Sequence, residues 1–144
     1  MSRTIHVLNG PNLNRLGRRE PEIYGHTTLA EVEVMCREAA GDDTVVFRQT
    51  NYEGQLVDWI HEAIDTPANG LVINPAGLTF TSIPVLDALK MFPWPLIELH
   101  ITNIHRRDAI YHRSLVSTAA TAVIAGLGAR GYATAIRAMQ ELIG

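Results

Sequence analysis

The sequence predicts an α/β fold: a five-stranded parallel sheet with helices on both faces. Three observations lead there. Short runs rich in β-branched and aliphatic residues recur along the chain, as buried strands do. Stretches with apolar residues at helical spacing alternate with them, the order that gives parallel strands joined by helices. Finally, 144 residues with 47% hydrophobic content suit one domain over residues 1–144, burying roughly two-thirds of its unfolded surface.

Each element has its own signal. Thr4 to Leu8 reads as the first strand. A helix follows in which Leu29, Val32, Val34, Met35 and Cys36 mark the apolar positions, with Thr27 or Thr28 as N-cap and a Glu three residues on. Thr44 to Arg48 is the second strand. Leu56, Trp59, Ile60, Ala63 and Ile64 define the next helix, ending before Pro67. Gly70 to Ile73 is the third strand, and Ile83, Leu86, Leu89 and Met91 the third helix, with Pro84 tolerated in its first turn. Pro95 to His100 and Ala122 to Ala125 complete the sheet, and Tyr132, Ile136, Met139, Leu142 and Ile143 form the closing helix. The order resembles a flavodoxin-like fold.

Composition excludes several functions. The apolar content argues against disorder, and 12 Lys+Arg against 15 Asp+Glu give no electrostatic reason to expect nucleic acid or an anionic membrane. No run approaches the ~20 apolar residues of a membrane span. The opening MSRTIHVLNG has no signal-peptide core, and Cys36 is the only cysteine; a reducing cytoplasm is the expected compartment.

Two connections exceed the usual length of about 2–6 residues. Gly10 to His26 carries Arg15, Arg18, Arg19, two Glu and Tyr24; His100 to about Ser114 is crowded with His and Arg. Both leave the C-terminal edge of the sheet, where ligands bind in open α/β folds, as does Asn74. An adjacent guanidinium favours the phenolate form of a tyrosine, so Arg18 and Arg19 make Tyr24 a candidate base. Asn9, Asn12 and Asn14 offer amide donors, and Gly10 with Pro11 sets a sharp exit from the strand.

Other motifs read as structural. GLGARG, Gly126 to Gly131, matches G-x-G-x-x-G, but no second strand follows it, so its glycines are assigned to close strand–helix packing. His100, His105 and His112 lack a metal-binding pattern, and Ser82 and Ser114 lack the G-x-S-x-G elbow. His6 and His61 fall within a strand and a helix.

Five blocks, in order, carry a resemblance: LNGPNLNRLGRREPEIYG, QTNYEGQLVDWIHEA, INPAGLTFTS, IELHITNIHRRD and GLGARGY. With them the chain is similar to the type II 3-dehydroquinate dehydratases along nearly its whole length. The resemblance implies trimers packed into a dodecamer. It also implies a cofactor-free trans elimination of water from 3-dehydroquinate through an enolate, in a site that binds a carboxylic-acid ketone. On it, Tyr24 is the base, activated by Arg19; Asn12 stabilises the enolate through a bound water; and His100 is the general acid, oriented by Glu98. Asn74 holds substrate, the Ile101 amide and Thr102 cradle its carboxylate, and Asp87 reaches into a neighbouring subunit's site. A lid bearing Arg19 and Tyr24 closes over the substrate.

The chain also departs from the pattern. The family usually has Tyr-Thr-His where Leu78-Thr79-Phe80 stands, and an arginine where Tyr111 stands; Arg113, two residues on, is a candidate substitute, and the sequence leaves open whether it takes that place. The elimination machinery reads as complete while two grips on ring hydroxyls are lost. Three further readings stay open: a paralogue acting on a less hydroxylated carbonyl compound, a catalytically silent relative that binds a small acid, and a flavin or nucleotide switch suggested by fold analogy alone.

Overall fold

A computed structural model describes residues 2–66 and 68–144. The strands are β1 (Thr4–Asn9), β2 (Thr44–Gln49), β3 (Gly70–Asn74), β4 (Leu96–His100) and β5 (Ala122–Ala125). They form one parallel sheet in the order β2-β1-β3-β4-β5, the flavodoxin-like arrangement. The predicted strands differ only at their ends. β1, β2 and β3 each run one residue further, and β4 starts at Leu96 because Pro95 has no amide hydrogen for the ladder.

Among the described residues there are five α-helices: α1 (Pro21–Tyr24), α2 (Leu29–Ala40), α3 (Glu53–Asp65), α4 (Ile83–Lys90) and α5 (Gly131–Ile143). α2 opens on a capping box in which Thr28 Oγ1 accepts from the Glu31 amide and Glu31 accepts from the Thr28 amide, worth about 1 kcal/mol. Ser82 caps α4 in the same way by accepting from the Val85 amide, a structural role for a serine that had no elbow around it. α3 ends at Asp65; Pro67, the expected stop, lies outside the described residues. Met91 is the C-cap of α4 rather than a helical residue.

Alternation along the strands feeds two cores. Ile5, Val7, Val72, Ile97 and Leu99 face α2 and α5, where Val32, Cys36, Ile136 and Met139 meet them. Leu8, Leu71, Ile73 and Leu96 face α3 and α4, against Leu56, Ile60, Val85 and Leu89. Burial pushes the Cys36 thiol up to about 12, so it is packing rather than a nucleophile. Among the described residues, no helix is long and apolar enough to cross a membrane.

The topology sets the site. β1 lies between β2 and β3, and the chain leaves β1 toward the α2 face but leaves β3 toward the α4 face. A crevice opens where these connections diverge. Asn9 and Asn74 pair across it as the last register partners of β1 and β3.

Candidate active site

A cleft of about 180 Å³ occupies this crevice. The long connection after β1 forms one wall. Gly10 donates its amide to the Asn74 carbonyl at 2.8 Å. A Cβ at Gly10 would stand 2.4 Å from the Pro75 carbonyl oxygen, so only glycine allows this approach. The segment is not a free loop. Leu13 and Leu16 are buried in the α2/α5 core, a 3-10 turn spans Leu13–Arg15, and Tyr24 ends α1 rather than sitting in a loop. Asn12 takes a left-handed conformation (φ 71°), donates its amide to Asn51 Oδ1 at 2.9 Å, and lines the cleft.

Of the arginines in this segment, Arg19 alone lines the cleft; Arg15 and Arg18 are exposed. Arg19 Nη2 donates to Tyr24 Oη at 3.2 Å, and its guanidinium carbon lies 4.3 Å from the ring centroid. The hydrogen bond and the ring contact fix the phenol and the guanidinium as one unit in the cleft wall. A second cation was not singled out in the sequence: Arg107 stands 5.5 Å from the Tyr24 ring and 4.0 Å from that of Tyr111. The string IHRRD gave no direction for its cations. The turn Ile104–Arg106 buries Ile104, and the chain then brings Arg107 to the cleft and leaves Arg106 exposed.

The opposite wall is the end of β4. His100, 4% exposed, places Nε2 2.5 Å from Glu98 Oε2. Glu98 is wholly buried and also accepts from Ser114 Oγ at 2.8 Å and Ser117 Oγ at 2.5 Å. Burial raises its carboxyl pKa, but the hydrogen bonds from His100 and Ser117, the His100 charge and the Ser114 bond outweigh it and set the group below the usual carboxylate value. Ile101 and Thr102 follow His100 into the cleft lining. The GLGARG turn braces them: Gly126 and Gly128 (φ 92° and 70°) donate their amides to the His100 and Ile101 carbonyls at 3.3 and 3.0 Å.

The floor is Asn74, held by the fold. Its Nδ2 donates to Tyr132 Oη at 2.9 Å, its Oδ1 accepts from the Ala76 amide at 3.2 Å, and Tyr132 Oη donates onward to Asn9 Oδ1 at 2.7 Å. The sequence had marked Tyr132 only as a helix core position.

Phe80 and Tyr111 close the cleft side by side, ring centroids 5.4 Å apart in an edge-on contact, with Phe80 stacked 6.3 Å from His100. Arg113 does not substitute for the absent arginine: it is exposed and away from the cleft, and the cation over Tyr111 is Arg107. Asp87 is exposed on α4 and does not line its own chain's cleft. His105 and His112 also lie outside it, ring centroids 6.4 Å apart.

Known proteins share this architecture. The sequence profile described as "Dehydroquinase class II" matches residues 3–140. A protein of Agrobacterium fabrum named 3-dehydroquinate dehydratase 2 is 55% identical over 139 residues, covering 94% of this chain and 93% of its own. A 3-dehydroquinate dehydratase of Methylobacterium radiotolerans is 54% identical over 144 residues, covering 99% and 96%. The crystal structure of the type II dehydroquinase from Propionibacterium acnes superposes with a TM-score of 0.90 at 45% identity, covering 98% of each chain. That from Butyrivibrio crossotus gives 0.93 at 36% identity, covering 96% and 98%. With the profile spanning nearly its whole length and relatives this similar, the chain belongs to the class II dehydroquinase family.

Proposed function

We propose that the protein is a carbon–oxygen lyase that eliminates water from 3-dehydroquinate, giving 3-dehydroshikimate through an enolate. One observation carries the reading: a single cleft sets an arginine-bonded phenol, Arg19–Tyr24, beside a histidine backed by a buried carboxylate, His100–Glu98. Tyr24 as phenolate removes the proton next to the ketone. Asn12 serves the developing enolate oxygen, an electrostatic task worth several kcal/mol in a dry site. His100 as imidazolium gives its proton to the departing hydroxyl, which leaves as water. Asn74, Ile101 and Thr102 hold the substrate's ring and carboxylate.

Enone formation followed by ultraviolet absorbance tests this. The parent turns over 3-dehydroquinate, and Tyr24→Phe lowers kcat by roughly 10²–10⁴-fold, the usual worth of general base catalysis, while still binding a planar enolate-mimicking carboxylic acid. A folded parent with no turnover overturns the reading in favour of the silent small-acid binder.

The Phe80–Tyr111 contact favours a second reading, in which the substrate is a related cyclic ketone with fewer ring hydroxyls. Aromatic rings there offer one phenol where the family pattern has an imidazole and a guanidinium. A higher kcat/KM on a deoxy analogue than on 3-dehydroquinate would select it.

The assembly belongs to the same proposal. Exposed Asp87, on a helix that also exposes Ile83 (53%) beside exposed Met91 (54%), is suited to meet another copy, and we assign trimers packed into a dodecamer. Sedimentation velocity measures it. The lone buried thiol of Cys36 suits cytoplasmic residence.

A further inference from the structure

Two polar side chains, Ser114 and Ser117, stand on Glu98 behind the cleft rather than in its lining. Glu98 projects from β4 into a site closed to solvent, where an unpartnered carboxylate is strongly disfavoured. His100 bonds only one of its oxygens. Ser114 Oγ donates to that same Oε2 at 2.8 Å, and Ser117 Oγ donates to Oε1 at 2.5 Å. Both oxygens are thus engaged, from two directions, and the carboxylate cannot rotate without losing a partner.

The hydroxyls are themselves oriented. Ser114 Oγ accepts from the Ser117 amide at 3.2 Å, which leaves its own proton for Glu98. The segment is tied down at Leu115, whose amide donates to the Thr79 carbonyl at 2.9 Å, and at Val116, which is buried. A clamp fixed at this many points sets the position of the carboxylate and, through it, the imidazole. With Nε2 committed to Glu98, Nδ1 is the nitrogen left for the substrate; among the described residues it has no hydrogen-bond partner.

We propose that Ser114 and Ser117 are positioning residues for the acid half of the reaction, holding the Glu98 carboxylate so that His100 keeps its proton on Nε2 toward Glu98 and presents Nδ1 to the leaving hydroxyl. In the step they serve, Nδ1–H of the imidazolium gives its proton to the hydroxyl oxygen. The carbon–oxygen bond breaks with its electron pair on that oxygen, water departs, and the enolate electrons form the new carbon–carbon double bond as the carbonyl returns. The inference rests on the dehydratase reading for its kinetic test, and a spectroscopic test stands apart from it.

Replacing the clamp separates the two halves of the reaction. Ser114→Ala with Ser117→Ala, and Ser117→Ala alone in case the pair destabilises the fold, are compared with Ser117→Thr, which keeps the hydroxyl. In the alanine variants kcat for elimination falls by about tenfold or more, the worth of a hydrogen bond to a charged group, with KM nearly unchanged. Exchange of the α-hydrogen with deuterated solvent, which needs only the base, continues at close to the parent rate, and Ser117→Thr restores elimination. Unchanged kcat in folded alanine variants, or exchange falling in step with elimination, overturns the proposal. A parent that neither exchanges nor eliminates overturns the dehydratase reading instead. The clamp is then judged by ¹⁵N resonances of His100 recorded at a pH high enough for the ring to be neutral: a single Nε2–H tautomer in the parent and mixed tautomers in the variants uphold it, and an unchanged tautomer in the variants refutes it.

Discussion

His6 illustrates how position decides the behaviour of one side chain. It sits in β1, 4% exposed, with Nδ1 lacking a hydrogen-bond partner among the described residues. Burial lowers its pKa below 6.5, the nearby Arg48 charge lowers it further, and Glu62, which pairs with Arg48, opposes them. The unfolded chain therefore takes up this proton at a higher pH than the folded one. The stability tied to neutral His6 is fully present above about pH 6.5 and is lost as pH falls through that value toward the folded pKa. Acidification from pH 7.5 to 5 lowers the thermal midpoint, and His6→Leu flattens that part of the profile, as differential scanning calorimetry at each pH would measure. Phe80 and Tyr111 were legible as departures in the sequence, and their contact in the cleft was not, since residues thirty-one positions apart meet only through the fold. Phe80→His with Tyr111→Arg is expected to raise kcat/KM for 3-dehydroquinate by ~10-fold or more, each new hydrogen bond to a ring hydroxyl being worth about 1 kcal/mol. Steady-state kinetics on both proteins measures the gain.

Among elements, the strands and long helices were readable because their apolar periodicity extends over many residues. The short pieces were not. α1 has only four residues, too few to show a period, so Tyr24 reads from sequence as a loop residue. The turn Leu13–Arg15 is equally brief, and with buried Leu13 and Leu16 it anchors the start of the long connection in the α2/α5 core. α5 was found as a helix, but its polar task was hidden, because Tyr132 fits the apolar stripe as well as any Leu. Its phenol is pushed upward by burial, against the Asn74 bond, and stays neutral, a donor to Asn9 and an acceptor from Asn74. Tyr132→Phe strips both amides of this partner at a cost of ~1–3 kcal/mol. It is expected to lower the thermal midpoint by several degrees and to raise KM, because Asn74 loses its brace; thermal melts and initial rates report the two effects separately.

At the scale of the whole molecule, the order of strands and helices already implied where a ligand would bind, since the crevice between β1 and β3 follows from topology. Asp87 is the counterexample: it is exposed and does not line its own chain's cleft, and its proposed task lies in another copy. Residues drawn from distant stretches converge on the crevice, and the last of them to be synthesised is Tyr132. A chain leaving the ribosome therefore carries Asn12, Arg19, Tyr24 and Asn74 early, yet cannot set its floor until the carboxy-terminal helix emerges and docks. Cutting the chain ahead of α5 is thus expected to extinguish turnover without touching any group that meets substrate.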